Sequence, residues 1–310
     1  MDWKKHFLSL SHYSREEILG LLTRATELKR GIPGKGPEKP LAGRSVGLIF
    51  EKPSTRTRVS FEVGVHQLGG QAIFLSRDDM QISRGEPVRD TARVLSRYLH
   101  AVVVRTFGHV ILEEFAKWSS IPVINGLSDL VHPCQVLADL MTLQEAGVDV
   151  AKMHAAWVGD GNNMANSWIN AAEVLGFRLS LACPEGFLPA FPVNGHTVTV
   201  GNDPTEAVKG ADVVSTDVWA SMGQEAEADT RRAAFVGFQV NSALMAHASG
   251  TAYVLHCLPA HRGEEITDDV MESERSLIWD QAENRLHVQK AVLEMLCGRN
   301  ALDRVTMEVP

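Results

Sequence analysis

The sequence predicts an α/β protein of two doubly wound parallel-sheet domains, and three observations predict it. Short apolar runs recur along the chain, segments with apolar residues at helical period separate most of them, and a long helical pattern near residues 131–146 is followed by Gly147-Val148-Asp149 and a fresh apolar run. Strands alternating with helices imply a parallel sheet covered by its crossover helices. An eight-unit barrel alternates in the same way, so the long helix and the break after it are what favour two domains. The first is residues 1–147 and the second is residues 148–285, with a further helix expected over 286–310. A chain of 310 residues agrees with about 150 residues per domain.

Taken in order, Ser14 to Lys29 carries Ile18, Leu19, Leu22, Ala25 and Leu28 at helical period, and Ser14 with Glu17 forms a capping-box signature. The Gly/Pro-rich stretch 31–40 reads as a loop. Residues 45–50 form an apolar run of the kind buried on both faces of a parallel sheet. Similar runs fall at 71–75, 101–105, 121–124, 155–159, 178–183, 197–200, 211–216 and 252–258. Helical period between them is clear at Phe61, Val65 and Leu68, and again at Val136, Leu137, Leu140, Met141 and Leu143. Val288, Ala291, Val292, Met295 and Leu296 mark a terminal helix that Glu283-Asn284-Arg285 precedes.

Composition narrows the function. With 30 Lys plus Arg against 38 Asp plus Glu, the net charge is −8, which excludes a chain-wide footprint for nucleic acid or an acidic membrane. An anionic ligand must be caught locally. Hydrophobic content of 45% and charged content of 22% are those of a globular protein rather than a disordered or coiled-coil one. The N-terminus has no apolar signal core, and no run approaches the roughly 18 apolar residues of a spanning helix. Cys134, Cys183, Cys257 and Cys297 are widely spaced without a CxxC pair. A soluble cytoplasmic protein with free thiols is expected.

The polar clusters sit at strand ends. Ser54-Thr55-Arg56-Thr57-Arg58 lies between the run 45–50 and a helix, where free N–H groups, hydroxyls and the positive end of the helix dipole make a compact phosphate site. Cations are disfavoured in a first helical turn, so an Arg pair there calls for an anion. Arg105 ends the run 101–105, and His132-Pro133-Cys134-Gln135 opens a helix. Arg56, Arg105 and His132 can converge on one carbonyl oxygen. Gly159-Asp160-Gly161-Asn162-Asn163 follows another strand, but Met164 stands where a GxGxxG loop has its third glycine, so the dinucleotide signal is weak. Asp217-Val218-Trp219-Ala220-Ser221-Met222-Gly223 and His256-Cys257-Leu258-Pro259 each follow a strand as well. His256 and Cys257 are adjacent on a strand and face opposite ways, which makes them a poor nucleophile–base pair, and no covalent thioester is expected.

Ser54 to Arg58 resembles the carbamoyl-phosphate motif of the aspartate/ornithine carbamoyltransferase family, and the other clusters follow in that family's order over nearly the whole chain. The Asp217 to Gly223 stretch resembles the loop that closes over ornithine in the ornithine-specific members. The resemblance implies transfer of the carbamoyl group from carbamoyl phosphate to the δ-amine of L-ornithine, giving L-citrulline and phosphate by direct amine attack through a tetrahedral intermediate. It also implies that the C-terminal helix over 286–310 packs back on the first domain, and it implies site residues. Ser54, Thr55, Arg56, Thr57, Gln81, Arg105, His132, Gln135, Cys257, Leu258 and Arg285 would bind carbamoyl phosphate, with Gln81 acting in a neighbouring subunit's site. Asn163, Asp217, Ser221 and Met222 would bind ornithine. Arg56, Arg105, His132, Asp217 and Cys257 would carry the chemistry, with no metal and no organic cofactor. A homotrimer or a multiple of trimers is implied. The competing readings are a nucleotide-binding oxidoreductase, which the defective GxGxxG opposes, and a non-catalytic homologue, which retention of every motif opposes.

Overall fold

The computed structural model describes residues 5–32, 39–221 and 225–298. The strands are β1 (Ser45–Phe50), β2 (Gln71–Ser76), β3 (Ala101–Arg105), β4 (Val123–Leu127), β5 (His154–Val158), β6 (Arg178–Ala182), β7 (Val198–Gly201), β8 (Val213–Thr216) and β9 (Tyr253–His256). The helices are α1 (Arg15–Lys29), α2 (Thr55–Gln67), α3 (Val88–Leu95), α4 (His109–Trp118), α5 (Pro133–Glu145), α6 (Asn163–Leu175), α7 (Pro204–Val208), α8 (Ala228–Ala234), α9 (Ser242–Met245), α10 (Asp268–Met271) and α11 (Ile278–Cys297). The chain forms two compact units, Met1–Ala138 with Asn284–Pro310, and Asp139–Glu283.

In the first unit the order is β2-β1-β3-β4, and all neighbours pair in parallel. The chain order therefore reverses between β1 and β3. In a doubly wound sheet the loops leaving two such strands open away from each other and leave a crevice at the carboxyl edge. Val46, Leu48 and Val102 to Val104 are buried, as expected of a central strand covered on both faces. Ser14 caps α1 with the reciprocal capping box that its spacing to Glu17 predicts. From Asn284 onward α11 belongs to this unit, where Arg24 pairs with Glu294 at 2.6 Å and Lys290 Nζ donates to Gln67 at 2.9 Å.

The second unit orders its strands β7-β6-β5-β8-β9, again all parallel, and the reversal lies between β5 and β8. Its core holds Val158, Val214, Trp219, Phe235, Phe238, Val254 and Ile278. Two open sheets replace the barrel alternative.

The terminal helix differs from expectation. It begins at Ile278 and not after Arg285, so Glu283, Asn284 and Arg285 lie inside it. The physical reason is that its first two turns bury polar side chains, Gln281, Asn284 and Arg285, and these conceal the helical period that Val288 onward displays. The helix ends at Cys297, and 299–310 lie outside the described residues, as do 33–38 of the expected loop.

Gly161 follows β5 and is pressed against another stretch of chain. A Cβ there would fall 2.3 Å from both Leu188 C and Pro189 N and 2.6 Å from Phe187 O. These are backbone atoms and cannot swing aside. Gly161→Ala is expected to cost about 3 kcal/mol, the upper range for an overpacked site, read as a lower denaturant midpoint with unchanged m-value.

Candidate active site

The loop leaving β1 at the first unit's switch point leads through Ser54 into α2 with Thr55, Arg56 and Thr57, and β3 ends at Arg105. Ser54 caps α2 and accepts from Thr57 N–H at 3.3 Å, with Thr55 and Arg56 in the first turn behind it. Thr57 is fully buried. Its hydroxyl oxygen accepts from Arg285 Nη2 at 2.6 Å and faces Arg105 Nη1 at 3.5 Å. Arg285 Nη1 also donates to Gln135 Oε1 at 2.6 Å and lies 3.5 Å from His132 Nε2. Thr57, Arg105, His132, Gln135 and Arg285, called from four separate stretches of sequence, are thus one buried group. Ser54 at the cap of α2 and Thr55 and Arg56 in its first turn precede Thr57 directly, whereas Gln81 opens an exposed single turn, Gln81–Arg84.

Burial pushes the His132 imidazole well below its ordinary value of 6.5, and Arg285, Arg105 and Lys52 push it further in the same direction. The ring is neutral at neutral pH. Sequence reasoning passed over Lys52, which is buried, pairs with Asp129 at 2.6 Å and lies 4.3 Å from the Phe107 ring centre. In a single sequence it reads as one more charge in a basic turn.

The second unit's switch point brings together the loops after β5 and β8. Asp217 Oδ1 accepts from Val218 N–H at 2.8 Å and from the Cys257 thiol at 3.0 Å. Its Oδ2 accepts from Asn162 Nδ2 at 2.9 Å, while Asn162 Oδ1 caps α6. Asn163 is the first residue of that helix and Ser221 lies on the loop after β8. Met222 lies outside the described residues. Leu258 adopts φ 61° before a cis Leu258–Pro259 bond, and its N–H donates to His256 Nδ1 at 2.9 Å. His256 then faces Glu265 through Nε2 at 3.1 Å, both side chains fully buried. Cys257 and His256 do point to different partners.

Asp160 and Arg231 belong to this site and were not singled out. Arg231 Nη1 donates to Asp160 Oδ2 at 3.0 Å and to the Trp219 carbonyl at 2.9 Å, tethering the start of the loop that holds Ser221. Burial raises Asp160 to about 6 against the pull of Arg231, with nearby Asp217 adding to the rise. Nothing in the local sequence around Arg231 marks it, since a basic residue on a short helix is ordinary.

Two donor sets come within 4.8 Å among the described residues, Asp217 with His256 and Cys257, and His261 with Glu264 and Glu265. The first is engaged internally, Cys257 with Asp217 and both nitrogens of His256 with Leu258 and Glu265. In the second, Glu265 Oε1 already serves His256 and the His261 N–H.

Two family models match. The carbamoyl-phosphate-binding domain of aspartate/ornithine carbamoyltransferases covers residues 5–145, and the aspartate/ornithine-binding domain covers 151–296. A Geobacter sulfurreducens ornithine carbamoyltransferase is 56% identical, over 94% of this chain and 99% of its own. An anabolic ornithine carbamoyltransferase of Pseudomonas aeruginosa is 54% identical, over 94% and 97%. The solved ornithine carbamoyltransferase of Pyrococcus furiosus superimposes with a TM-score of 0.89 at 49% identity, covering 94% of this chain and 96% of that one. The chain belongs to the aspartate/ornithine carbamoyltransferase family.

The depressed His132 value has a stability consequence. Unfolded, the ring takes a proton near 6.5 and the native ring does not, so the native state binds fewer protons below that pH. Its contribution is present above pH 6.5 and is lost as the pH falls below it. His132→Asn is expected to flatten the decline of stability between pH 7 and 5 by up to about 1.4 kcal/mol per pH unit, read from guanidinium midpoints at each pH. Parallel slopes for the two proteins would contradict the burial argument.

Proposed function

We propose that this chain transfers the carbamoyl group of carbamoyl phosphate to the δ-amine of L-ornithine, giving L-citrulline and phosphate, as the names of its relatives indicate for them. The observation that carries the reading is the buried group Thr57, Arg105, His132, Gln135 and Arg285 at the switch point of the first unit. A dianionic phosphate needs charge-assisted donors held in place before it arrives. Ser54, Thr55, Arg56, Thr57 and Arg285 supply them, with Cys257, Leu258 and a neighbouring subunit's Gln81 completing the contacts. Arg56, Arg105 and the neutral His132 stabilise the carbonyl oxygen as it becomes an oxyanion, and Gln135 holds the carbamoyl amide.

Asn163, Asp217, Ser221 and Met222 hold ornithine. Its δ-amine has an ordinary pKa near that of Lys, about 10.4, and must shed a proton to attack. The Asp217 carboxylate with the Cys257 thiol beside it at 3.0 Å orients the amine by accepting from it. Attack forms the C–N bond, the tetrahedral intermediate collapses, and the C–O bond to phosphate breaks. The proton goes to the Asp217–Cys257 pair or to the departing phosphate.

The same reading takes in a homotrimer or a multiple of one. Edge strand β2 exposes Ile73, and α2 beside it exposes Val59 and Val63, an apolar edge of the kind that partners cover. A cytoplasmic setting suits four free cysteines, and citrulline production places the reaction in arginine biosynthesis.

Citrulline formation from carbamoyl phosphate, with L-ornithine run beside L-aspartate, putrescine and N-acetyl-L-ornithine, tests the reading. Turnover of ornithine alone is expected, and turnover of another amine in its place would overturn the substrate assignment. Arg285→Gln removes a charge-assisted contact and is expected to raise KM for carbamoyl phosphate about a hundredfold with a smaller change in KM for ornithine.

A further inference from the structure

β9 is the edge strand of the second sheet, so one side of its backbone has no neighbouring strand. The segment leading into α11 fills that side. Val254 N–H donates to Arg275 O at 3.0 Å, and Leu277 N–H donates to Val254 O at 3.1 Å. Beyond Leu277 the chain coils into a helix and its backbone no longer follows the strand. The next outward donor is His256 N–H, and the side-chain carbonyl of Gln281 accepts it at 3.1 Å. A side chain thus supplies the rung that the helix takes away.

The other end of the same amide donates from Nε2 to Asp139 Oδ1 at 2.6 Å. Gln281 is 1% exposed and Asp139 is fully buried. A side-chain amide both accepts from a backbone N–H through its oxygen and donates to a carboxylate through its nitrogen. Asp139, on α5, therefore fixes which way the amide faces, and the amide fixes the end of β9.

We propose that Gln281 is a positioning residue for carbamoyl transfer, setting through His256 N–H where Cys257 and the Leu258 turn stand relative to Asp217. The inference rests on the reading above in which Cys257 and Asp217 handle the amine. A thiol held 3.0 Å from a carboxylate tolerates little displacement, and a misplacement of about 1 Å can lower a rate about a hundredfold.

The test uses the full chain with Gln281→Leu, Gln281→Glu, Gln281→Glu combined with Asp139→Asn, and Cys257→Ala. Thermal melts report folding, and initial rates report kcat and KM for each substrate. Gln281→Leu is expected to lower kcat/KM for ornithine about thirtyfold. Gln281→Glu sets two carboxylates against each other and loses more. The combined variant restores an acceptor for His256 N–H and a donor opposite it at unchanged total charge, and recovers activity to within about fivefold of the parent.

A folded Gln281→Leu that keeps its kcat/KM for ornithine within about twofold would overturn the inference. So would a folded combined variant no better than Gln281→Glu alone, and that arm decides the matter if Gln281→Leu does not fold. Cys257→Ala separates the two levels. If it leaves the ornithine parameters intact, the reading of Cys257 fails and takes the inference with it. If it is impaired while Gln281→Leu is not, the inference alone fails.

Discussion

The buried guanidinium of Arg285 holds together the part of the first unit on which the rest depends. It donates to Thr57 at the start of α2 and to Gln135 at the start of α5, and it lies beside His132. Taking such a cation out of water costs several kcal/mol unless its donors are matched. Thr57, Gln135 and His132 match donors without cancelling charge, because all three are neutral. Arg105 and Lys52 are buried nearby, and burial first, with these three cations adding to it, holds His132 in its neutral form. A chain of net charge −8 thus gathers three buried cations, Arg105, Arg285 and the Asp129-paired Lys52, around one neutral ring.

The second unit does the converse at its own switch point. Asp217 and Asp160 are both buried there, and Asp160 is raised to about 6 chiefly by desolvation. A raised carboxylate is one whose ionised form the fold disfavours, so its stabilising contribution is present at low pH and is lost as the pH rises through about 6. Arg231 limits that cost, and its second bond, to the Trp219 carbonyl, uses the same charge to tether a loop. Negative groups collected in this way suit a substrate that brings an amine. The two units share a topology and differ in the sign of what their strand ends collect.

What could be read from the sequence follows from which residues lie on exposed or apolar faces. Strands covered on both sides appear as unbroken apolar runs, and caps such as Ser14 and Ser54 depend only on residues three positions away. The motif residues of the first unit were legible because they cluster at strand ends. Polar residues buried within helices were not. Gln281, Asp139 and Arg231 look like ordinary surface positions, and their burial is decided by elements over 70 residues away in the chain, as in Arg231 with Asp160, |i−j| 71, and Gln281 with Asp139, |i−j| 142. The late start assigned to α11 has the same cause.

The turn after β5 shows why a doubly wound sheet does not by itself mean a dinucleotide. A pyrophosphate site needs bare backbone at the second glycine, so that phosphate oxygens can approach the helix N-terminus. At Gly161 that approach is filled by the chain's own backbone at residues 187–189. Met164, where a third glycine would let helix and strand close up, is buried in the core. Asn162 then occupies the helix start, with Oδ1 on the N–H groups of Met164 and Ala165 and Nδ2 on Asp217. The Met164 and Ala165 N–H groups that a phosphate would take are already engaged, and the same side chain holds the buried Asp217 carboxylate. The Met164 replacement that weakened the glycine motif in the sequence thus goes with a turn whose helix start is capped by its own side chain and whose approach is closed by its own backbone.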